Sequence, residues 1–172
     1  FYTHFLGLVV NMVMSGCAMW PAVFRDERKR ELNPIGFKQM LYALKEKGAV
    51  LGIHPEGTRN KGDDPYTFLP AKPGLGRLVR QAPPETVVVV FFILGHSNSI
   101  GQEVRERLGK KQNRTPIDLH FAVPITCGSL QHLESDEAVT EALMVTLRTL
   151  ASEQRDKAAA LSAPPEDETE RP

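Results

Sequence analysis

The sequence predicts an α/β fold in which a mostly parallel sheet is covered by helices. Two short apolar runs, residues 49–53 and 86–94, support this prediction because their continuous hydrophobicity is typical of strands buried on both faces. Residues 74–82 lie between the two runs and carry a helical pattern. Strand, helix and strand in this order favour a parallel pair joined by a right-handed crossover.

The first predicted helix starts near Asn33. An asparagine can cap a helix, and Pro34 fits the first turn because proline has no N–H to leave unpaired there. Gly48 is the predicted stop of this helix. Its apolar side chains recur at helical spacing and form one face: Ile35, Phe37, Met40, Leu41 and Leu44.

Further elements are predicted in the second half of the chain. Residues 117–125 alternate between apolar and polar at their start, which indicates a half-exposed strand near a sheet edge. A short helix is expected around residues 102–108 and a longer one from Ser135. The longer helix carries one apolar stripe: Val139, Leu143, Leu147 and Leu150.

The C-terminal residues differ in composition from the rest. Hydrophobicity falls after Gln154, and the last residues are rich in Pro, Glu and Asp. Such a composition is typical of disorder, because it offers too little apolar surface to bury. We therefore predict a folded domain over residues 1–153 and a disordered acidic tail over residues 154–172.

The overall composition excludes several function classes. The chain has 172 residues with 21 Lys and Arg against 21 Asp and Glu, and this zero net charge predicts no nucleic-acid partner. Cys17 and Cys127 are too few for a disulfide framework or a Cys-cluster metal site, and we predict no metal. The sequence contains no G-x-x-x-x-G-K-[ST] phosphate loop. An enzyme and a binding module both stay open.

Residues 5–20 carry no charged side chain. Three interpretations of this segment stay open: a helix buried in the domain, a helix lying in the membrane interface, and a membrane-spanning helix. The chain begins with Phe1 rather than Met, and no Asp, Glu, Lys or Arg occurs in residues 1–24. We therefore expect a fragment whose true start lies upstream of Phe1.

The long loop after the first predicted strand is the first place to search for a site, because ligands of parallel sheets bind beyond the carboxyl ends of the strands. There, Glu56, Gly57, Thr58 and Arg59 place an acid, a hydroxyl and a guanidinium around a glycine. Arg59 and Thr58 can donate to a phosphate, and Gly57 lets backbone N–H groups approach it. Glu56 would repel that anion unless it oriented Arg59 or accepted from a neutral hydroxyl. The same residues also fit a plain turn with a surface Glu/Arg pair.

Residues 54–59, His-Pro-Glu-Gly-Thr-Arg, resemble the F-P-E-G-T-R block of the glycerolipid acyltransferases, the family that includes 1-acylglycerol-3-phosphate acyltransferase. Residues 23–28 resemble the family's upstream I-D-R-x-x-R block. Residues 68–74 resemble the segment in which a Phe and a Lys-x-Gly lead into the next helix. The resemblance spans residues 5–128 and implies an N-terminally truncated domain of that family.

The resemblance implies transfer of a fatty acyl group from acyl-CoA or acyl carrier protein to the hydroxyl of a lysophospholipid of the lysophosphatidate type. In the family, a His held by an Asp in an H-x-x-x-x-D block removes the hydroxyl proton. None of the five histidines has an Asp at that spacing, so we expect no catalytic residue and no activity in the chain as given. The resemblance places the His/Asp block upstream of Phe1.

The resemblance also implies a set of substrate-binding residues. By carry-over from the family, five residues hold the acceptor phosphate: Arg25, Glu56, Gly57, Thr58 and Arg59. Arg25 belongs to the upstream block, and the other four belong to the loop. Together they would direct the acceptor hydroxyl towards the family's histidine.

Two positions depart from the family pattern. His54 stands where the family has Phe, and we expect a neutral apolar plug rather than a catalytic group. Residues 87–90 lack the proline that is common in the family's fourth block, so we assign no site residue there. Lys72, close to the predicted helix start at Gly74, fits either a phosphate contact or a plain surface lysine.

The leading hypothesis is therefore a membrane-associated acyltransferase of phospholipid biosynthesis on the cytoplasmic side, with an acyl thioester donor and no other cofactor. Its expected partners are the lysophospholipid and acyl-thioester substrates, a membrane surface and, where it is the donor, acyl carrier protein. The alternative, from a different class, is a non-catalytic lipid-phosphate-binding module or an inactive paralogue.

Overall fold

The computed structural model of the chain divides into two compact units. The first unit comprises residues 1–52 and 81–83, and the second comprises residues 53–80 and 84–172. The residues that the structure describes are 9, 27–57, 60, 62, 64–95, 105 and 116–162. The predicted helix at residues 102–108 lies outside this set except for Arg105, which is helical.

The first unit contains the predicted helix after Asn33. A 3-10 helix (Glu27–Leu32) leads directly into α1 (Asn33–Ala43), so the residue before α1 is Leu32 in helical geometry, and no side chain caps the start. The expected cap at Asn33 is therefore wrong, because the preceding turns already continue the helical path. Gly48 has φ 81° and ends the turns that follow α1, but the helix itself ends at Ala43, so the predicted stop at Gly48 is wrong by five residues.

The apolar face of α1 is only partly buried. Phe37, Met40 and Leu41 are half-buried, whereas Ile35 is 57% exposed. The fully buried residue of α1 is Gly36. The helical spacing thus predicted the helix correctly, but it did not predict how deeply its apolar face is buried.

Residues 49–53 do not form the predicted strand. Val50 is 95% exposed and Ile53 is also exposed. A strand needs a neighbour whose backbone groups pair with its own N–H and C=O groups. No strand in the described part of the chain lies beside this run, and its apolar composition alone does not supply one.

The second unit contains two antiparallel strand pairs. Each pair joins a short strand from residues 87–94 to one from residues 118–126: β1 (Val87–Val88) with β4 (Ile125–Thr126), and β2 (Phe91–Leu94) with β3 (Asp118–Phe121). The fold is thus mixed α/β as predicted, but the described residues show no parallel sheet. The parallel prediction depended on a strand at residues 49–53, which is absent. The second and third predicted strands pair with each other instead.

The register shifts by one residue between the two pairs. Val88 lies opposite Ile125, whereas Phe91 lies opposite Phe121, so three residues of one chain segment face two of the other. Pro124 lies in this interval and cannot donate to the ladder because proline has no N–H. An extra residue of this kind is a bulge, which explains why the predicted strand at residues 117–125 is divided.

The core of the second unit lies between one face of β2 and the longest helix. Phe92 is 6% exposed and packs against four residues of α4 (Asp136–Ser162), namely Met144, Leu147, Leu150 and Ala151. The other face of the strands is exposed, as at Phe91 and Phe121, so the expected burial on both faces is wrong. The other helices of this unit are α2 (Gly74–Gln81) and the short α3 (Cys127–Leu130).

The predicted apolar stripe of α4 is confirmed. Its four residues are all buried: Val139, Leu143, Leu147 and Leu150. Ser135 starts the helix by accepting the Ala138 N–H at its side-chain oxygen, 3.0 Å away, and this hydroxyl satisfies one of the unpaired donors of the first turn. The helix continues to Ser162, into the segment predicted as a tail, whose last ten residues lie outside the described residues.

Candidate functional site

The predicted phosphate-binding residues divide into two groups. Glu56 and Gly57 belong to the described structure, whereas Arg25, Thr58 and Arg59 lie outside the described residues. The described part of the site is the turn that contains Glu56 and Gly57, together with the segment at residues 69–72 that is hydrogen-bonded to it.

The expected catalytic His/Asp block is distinct from these binding residues. The resemblance places this block upstream of Phe1 and implies no catalytic residue within the chain. Phe1 itself lies outside the described residues, as do residues 2–8 that follow it. The position of the His/Asp block relative to Phe1 therefore stays a prediction.

A tight turn carries the first part of the block at residues 54–59. The Gly57 N–H donates to the His54 carbonyl oxygen at 2.9 Å, and Gly57 has φ 67°. Residues with a side chain rarely adopt this left-handed conformation, which glycine adopts without steric cost. A Cβ atom at Gly57 would lie 3.8 Å from the Lys72 side chain, an ordinary contact, so the backbone conformation rather than space requires the glycine.

Two hydrogen bonds tie this turn to the returning segment. The Glu56 side chain is buried, with the residue only 5% exposed, and its Oε1 accepts the Leu69 N–H at 2.9 Å. The Pro55 carbonyl oxygen accepts the Lys72 N–H at the same distance. A buried carboxylate is costly unless it is hydrogen-bonded, and here a backbone donor thirteen residues away meets that need. Glu56 thus holds the two ends of the loop together, a role that the sequence did not indicate.

Asn60 and Asp64 shape the loop between these ties. The Asn60 side chain accepts the Gly62 N–H at 2.9 Å and donates to the Thr67 carbonyl oxygen at 2.6 Å. Asp64 accepts the Tyr66 N–H at 3.0 Å and the Thr67 hydroxyl at 2.8 Å. Side chains that bond a backbone N–H two residues ahead are typical of Asx turns. Asn60 and Asp64 therefore form such turns within this loop.

Acidification is expected to release the two hydrogen bonds of Asp64 only below the usual pKa of an aspartate. The Tyr66 N–H and the Thr67 hydroxyl hold the pKa of the Asp64 carboxyl below its usual value, because both donate to the charged form. The stabilisation is therefore present above that usual pKa and is lost as the pH falls through the lowered pKa. The Tyr66 amide proton shift, followed by NMR against pH, measures the transition. Asp64→Asn should abolish it, and an unchanged titration in that variant would assign the transition to another group.

Aromatic contacts attach the second half of the loop to the core. The Tyr66 and Phe68 rings lie with their centroids 5.8 Å and 6.0 Å from that of Phe92. Offset ring contacts at this separation add to the stabilisation from burial. Because Phe92 packs on α4, the loop has a fixed base on the core of the second unit.

His54 is exposed, so its expected role as a buried apolar plug is wrong. The imidazole lies on the surface, while the backbone carbonyl of the same residue closes the turn with Gly57. The Lys72 side chain is exposed as well, just before α2 begins. Either function of Lys72 therefore stays a prediction.

Other reactive groups of the described residues point to no different chemistry. Burial raises the pKa of the Cys127 thiol, which disfavours the nucleophilic thiolate. Within the described ranges, no group of three or more His, Cys, Asp or Glu side chains is placed to hold a metal ion. No helix there has the length and apolar character needed to cross a membrane.

The sequence model of the family described as Acyltransferase matches residues 6–93, just over half of the 172 residues. The chain belongs to the acyltransferase family. The match confirms the resemblance, and it includes the segments at residues 23–28 and 54–59. Neither the curated proteins nor the solved structures contain a match to the chain.

Proposed function

We propose that the protein takes part in transfer of a fatty acyl group to the hydroxyl of a lysophospholipid, with lysophosphatidate as the type of acceptor. The donor is acyl-CoA or acyl carrier protein. The observation that carries this proposal is the family match over residues 6–93, which contains the tied loop with Glu56. The finer choice of a phosphate-bearing acceptor rests on the chemistry of the loop.

The hydrogen bond and the backbone conformation of the loop support a phosphate contact there. One carboxylate oxygen of Glu56 accepts the Leu69 N–H, so a backbone donor compensates part of the carboxylate charge. The left-handed backbone at Gly57 leads directly into Thr58 and Arg59, which are the donors of the block. Glu56 can thus hold the loop while the guanidinium of Arg59 binds the phosphate. We assign the phosphate to Arg59, with Thr58 and Arg25 as further donors.

The location of the reaction follows from its substrates. A lysophospholipid and a fatty acyl chain both partition into a bilayer. We therefore place the protein at a membrane surface, on its cytoplasmic side. The uncharged segment at residues 5–20 is the proposed contact with that surface. Phospholipid biosynthesis is the class of pathway that this reaction serves.

Arg59→Ala is expected to weaken binding of lysophosphatidate by about 10-fold to 100-fold, because a charge-assisted bond to phosphate contributes about 1.5–3 kcal/mol. Affinity for acyl-CoA should change far less. Titration calorimetry of the 172-residue chain with each substrate measures both values. Lys157→Ala, which removes an exposed charge from α4, is the matched control. Equal losses for acceptor and donor would show that Arg59 is structural.

A second candidate function is a non-catalytic module that binds lipid phosphates. The absence of an H-x-x-x-x-D spacing from all five histidines of the 172-residue sequence favours it. Both functions predict the same effect of Arg59→Ala on binding. They differ in turnover, which only the enzyme can show.

A further inference from the structure

A groove lies between the second half of the loop and one side of α4. Its cavity of about 320 Å³ is lined by Tyr66, Phe68, Arg148, Ala151, Ser152 and Arg155. These residues all belong to the second unit. The α4 residues are spaced by three, four and seven positions from Arg148, so they form one stripe along the helix. We call this cavity the α4 groove.

One wall of the α4 groove is apolar and fixed. Tyr66 and Phe68 both pack on Phe92 of the core, and Ala151 is 2% exposed. The hydroxyl of Ser152 is already used, since it donates to the Thr149 carbonyl oxygen at 2.9 Å. The uncharged lining therefore offers apolar contact and little hydrogen bonding to a ligand.

The charged groups of the α4 groove are two arginines with different partners. Arg148 is paired with Glu141 through distances of 2.6 Å and 3.4 Å. The guanidinium of Arg155 lies 5.7 Å from the centre of the Tyr66 ring and forms no ion pair with any residue in the described part of the chain. The positive charge of Arg155 helps to lower the pKa of the Asp64 carboxyl, but the two carboxylate oxygens already accept hydrogen bonds from Tyr66 and Thr67.

We propose that the α4 groove binds an amphipathic anion: an apolar chain that ends in a carboxylate. A guanidinium held over an aromatic ring keeps its planar edge of N–H donors available, and that edge matches a carboxylate in a bidentate pair. One unpaired guanidinium also matches the single charge of a carboxylate. The apolar wall of Phe68 and Ala151 accounts for the chain.

A second cavity indicates how the ligand is oriented in the α4 groove. It has a volume of about 400 Å³, adjoins the α4 groove at Arg148, and is lined by Pro70, Ala71 and Pro73 with Glu137, Thr140 and Glu141. Glu137 repels an anion there and Glu141 is already paired with Arg148, whereas the prolines and the alanine can contact an apolar chain. The carboxylate therefore lies at Arg155, and the chain points along the stem of Arg148 towards Pro70.

The α4 groove is independent of the proposed phosphate contact at Arg59, and so is its test. The full chain is titrated with hexanoate and followed by NMR amide shifts. We expect saturable shifts at residues 66–68 and 151–155, and dissociation constants at least tenfold weaker for acetate, which lacks the chain, and for 1-hexanol, which lacks the charge. Acetate binding as tightly as hexanoate would overturn the apolar part of the proposal. Hexyl phosphate binding tenfold more tightly than hexanoate would overturn the carboxylate.

Substitutions separate the role of Arg155 from that of charge in general. Arg155→Gln should weaken hexanoate binding at least tenfold, and Arg155→Lys should fall between this variant and the unchanged protein because it keeps the charge but loses the bidentate fork. Lys157→Gln, an exposed residue on the same helix, should bind as the unchanged protein does. Equal affinities of the Arg155→Gln and Lys157→Gln variants would overturn the proposal. Because Arg155 is exposed, its variants are expected to fold.

Discussion

Gly76→Ala is expected to destabilise the second unit by about 3 kcal/mol, near the upper end of the cost of overpacking. Gly76 is buried in α2 where this helix crosses the start of α4. A Cβ atom at this position would overlap the Asp136 carbonyl oxygen and lie 2.7 Å from the Thr140 hydroxyl oxygen. The same hydroxyl accepts the Gly76 N–H at 3.0 Å and donates to the Asp136 carbonyl oxygen at 2.8 Å.

Helix propensity alone predicts the opposite sign for Gly76→Ala. Alanine in a helix interior is about 1 kcal/mol more favourable than glycine. The overlap decides the outcome because one colliding atom belongs to the α4 backbone, which cannot rotate away as a flexible side chain can. Relieving this overlap requires the two helices to separate, and the separation breaks the bond between Gly76 and Thr140.

Urea unfolding of the full chain, followed by circular dichroism, measures the effect. Gly74→Ala is the matched control because it lies in the same helix and a Cβ atom there meets nothing within 4 Å. This control should be neutral or slightly stabilising. If both variants unfold at the same urea concentration, the close approach of α2 to α4 is not present in solution.

Helices were the elements that the sequence predicted best. The predicted helix at residues 74–82 corresponds to α2, and the apolar stripe from Val139 to Leu150 corresponds to the buried side of α4. Both predictions depend on the spacing of side chains within one segment, which a sequence shows directly. The length of α4 was less predictable, because its last turns carry exposed residues such as Arg155 and Lys157.

Strand pairing could not be predicted in the same way. Residues 49–53 and 86–94 have similar apolar composition, but only the second run finds a partner among the described residues. Which strands meet, and in which direction, depends on contacts between segments far apart in sequence. The bond from Leu69 to Glu56 is a smaller example, since nothing local to either residue indicates the other. The block at residues 54–59 was nevertheless predictable, because its sequence pattern is itself the signal.

The 172-residue chain is expected to show no acyl transfer to lysophosphatidate above the uncatalysed background. General-base catalysis contributes about 10²–10⁴-fold, and the base must lie within hydrogen-bond reach of the acceptor hydroxyl. The family's base is a His oriented by an Asp at the H-x-x-x-x-D spacing, and none of the five histidines of this chain has an Asp at that spacing. Release of thiol from acyl-CoA in the presence of lysophosphatidate measures turnover, and binding of lysophosphatidate in the same sample shows that the acceptor site is intact.

Measurable turnover would mean that the base lies among the five histidines rather than upstream of Phe1, and the structure indicates which one to test first. His54 is exposed, its carbonyl oxygen closes the turn with Gly57, and it lies two residues before Glu56. Turnover that His54→Gln removes while lysophosphatidate binding persists would make His54 the base and overturn the assignment from the family. Turnover that survives this substitution would exclude His54 and direct the search to His132, which is also exposed in the second unit. Binding of lysophosphatidate without turnover in every sample is the expected result and agrees with both proposed functions.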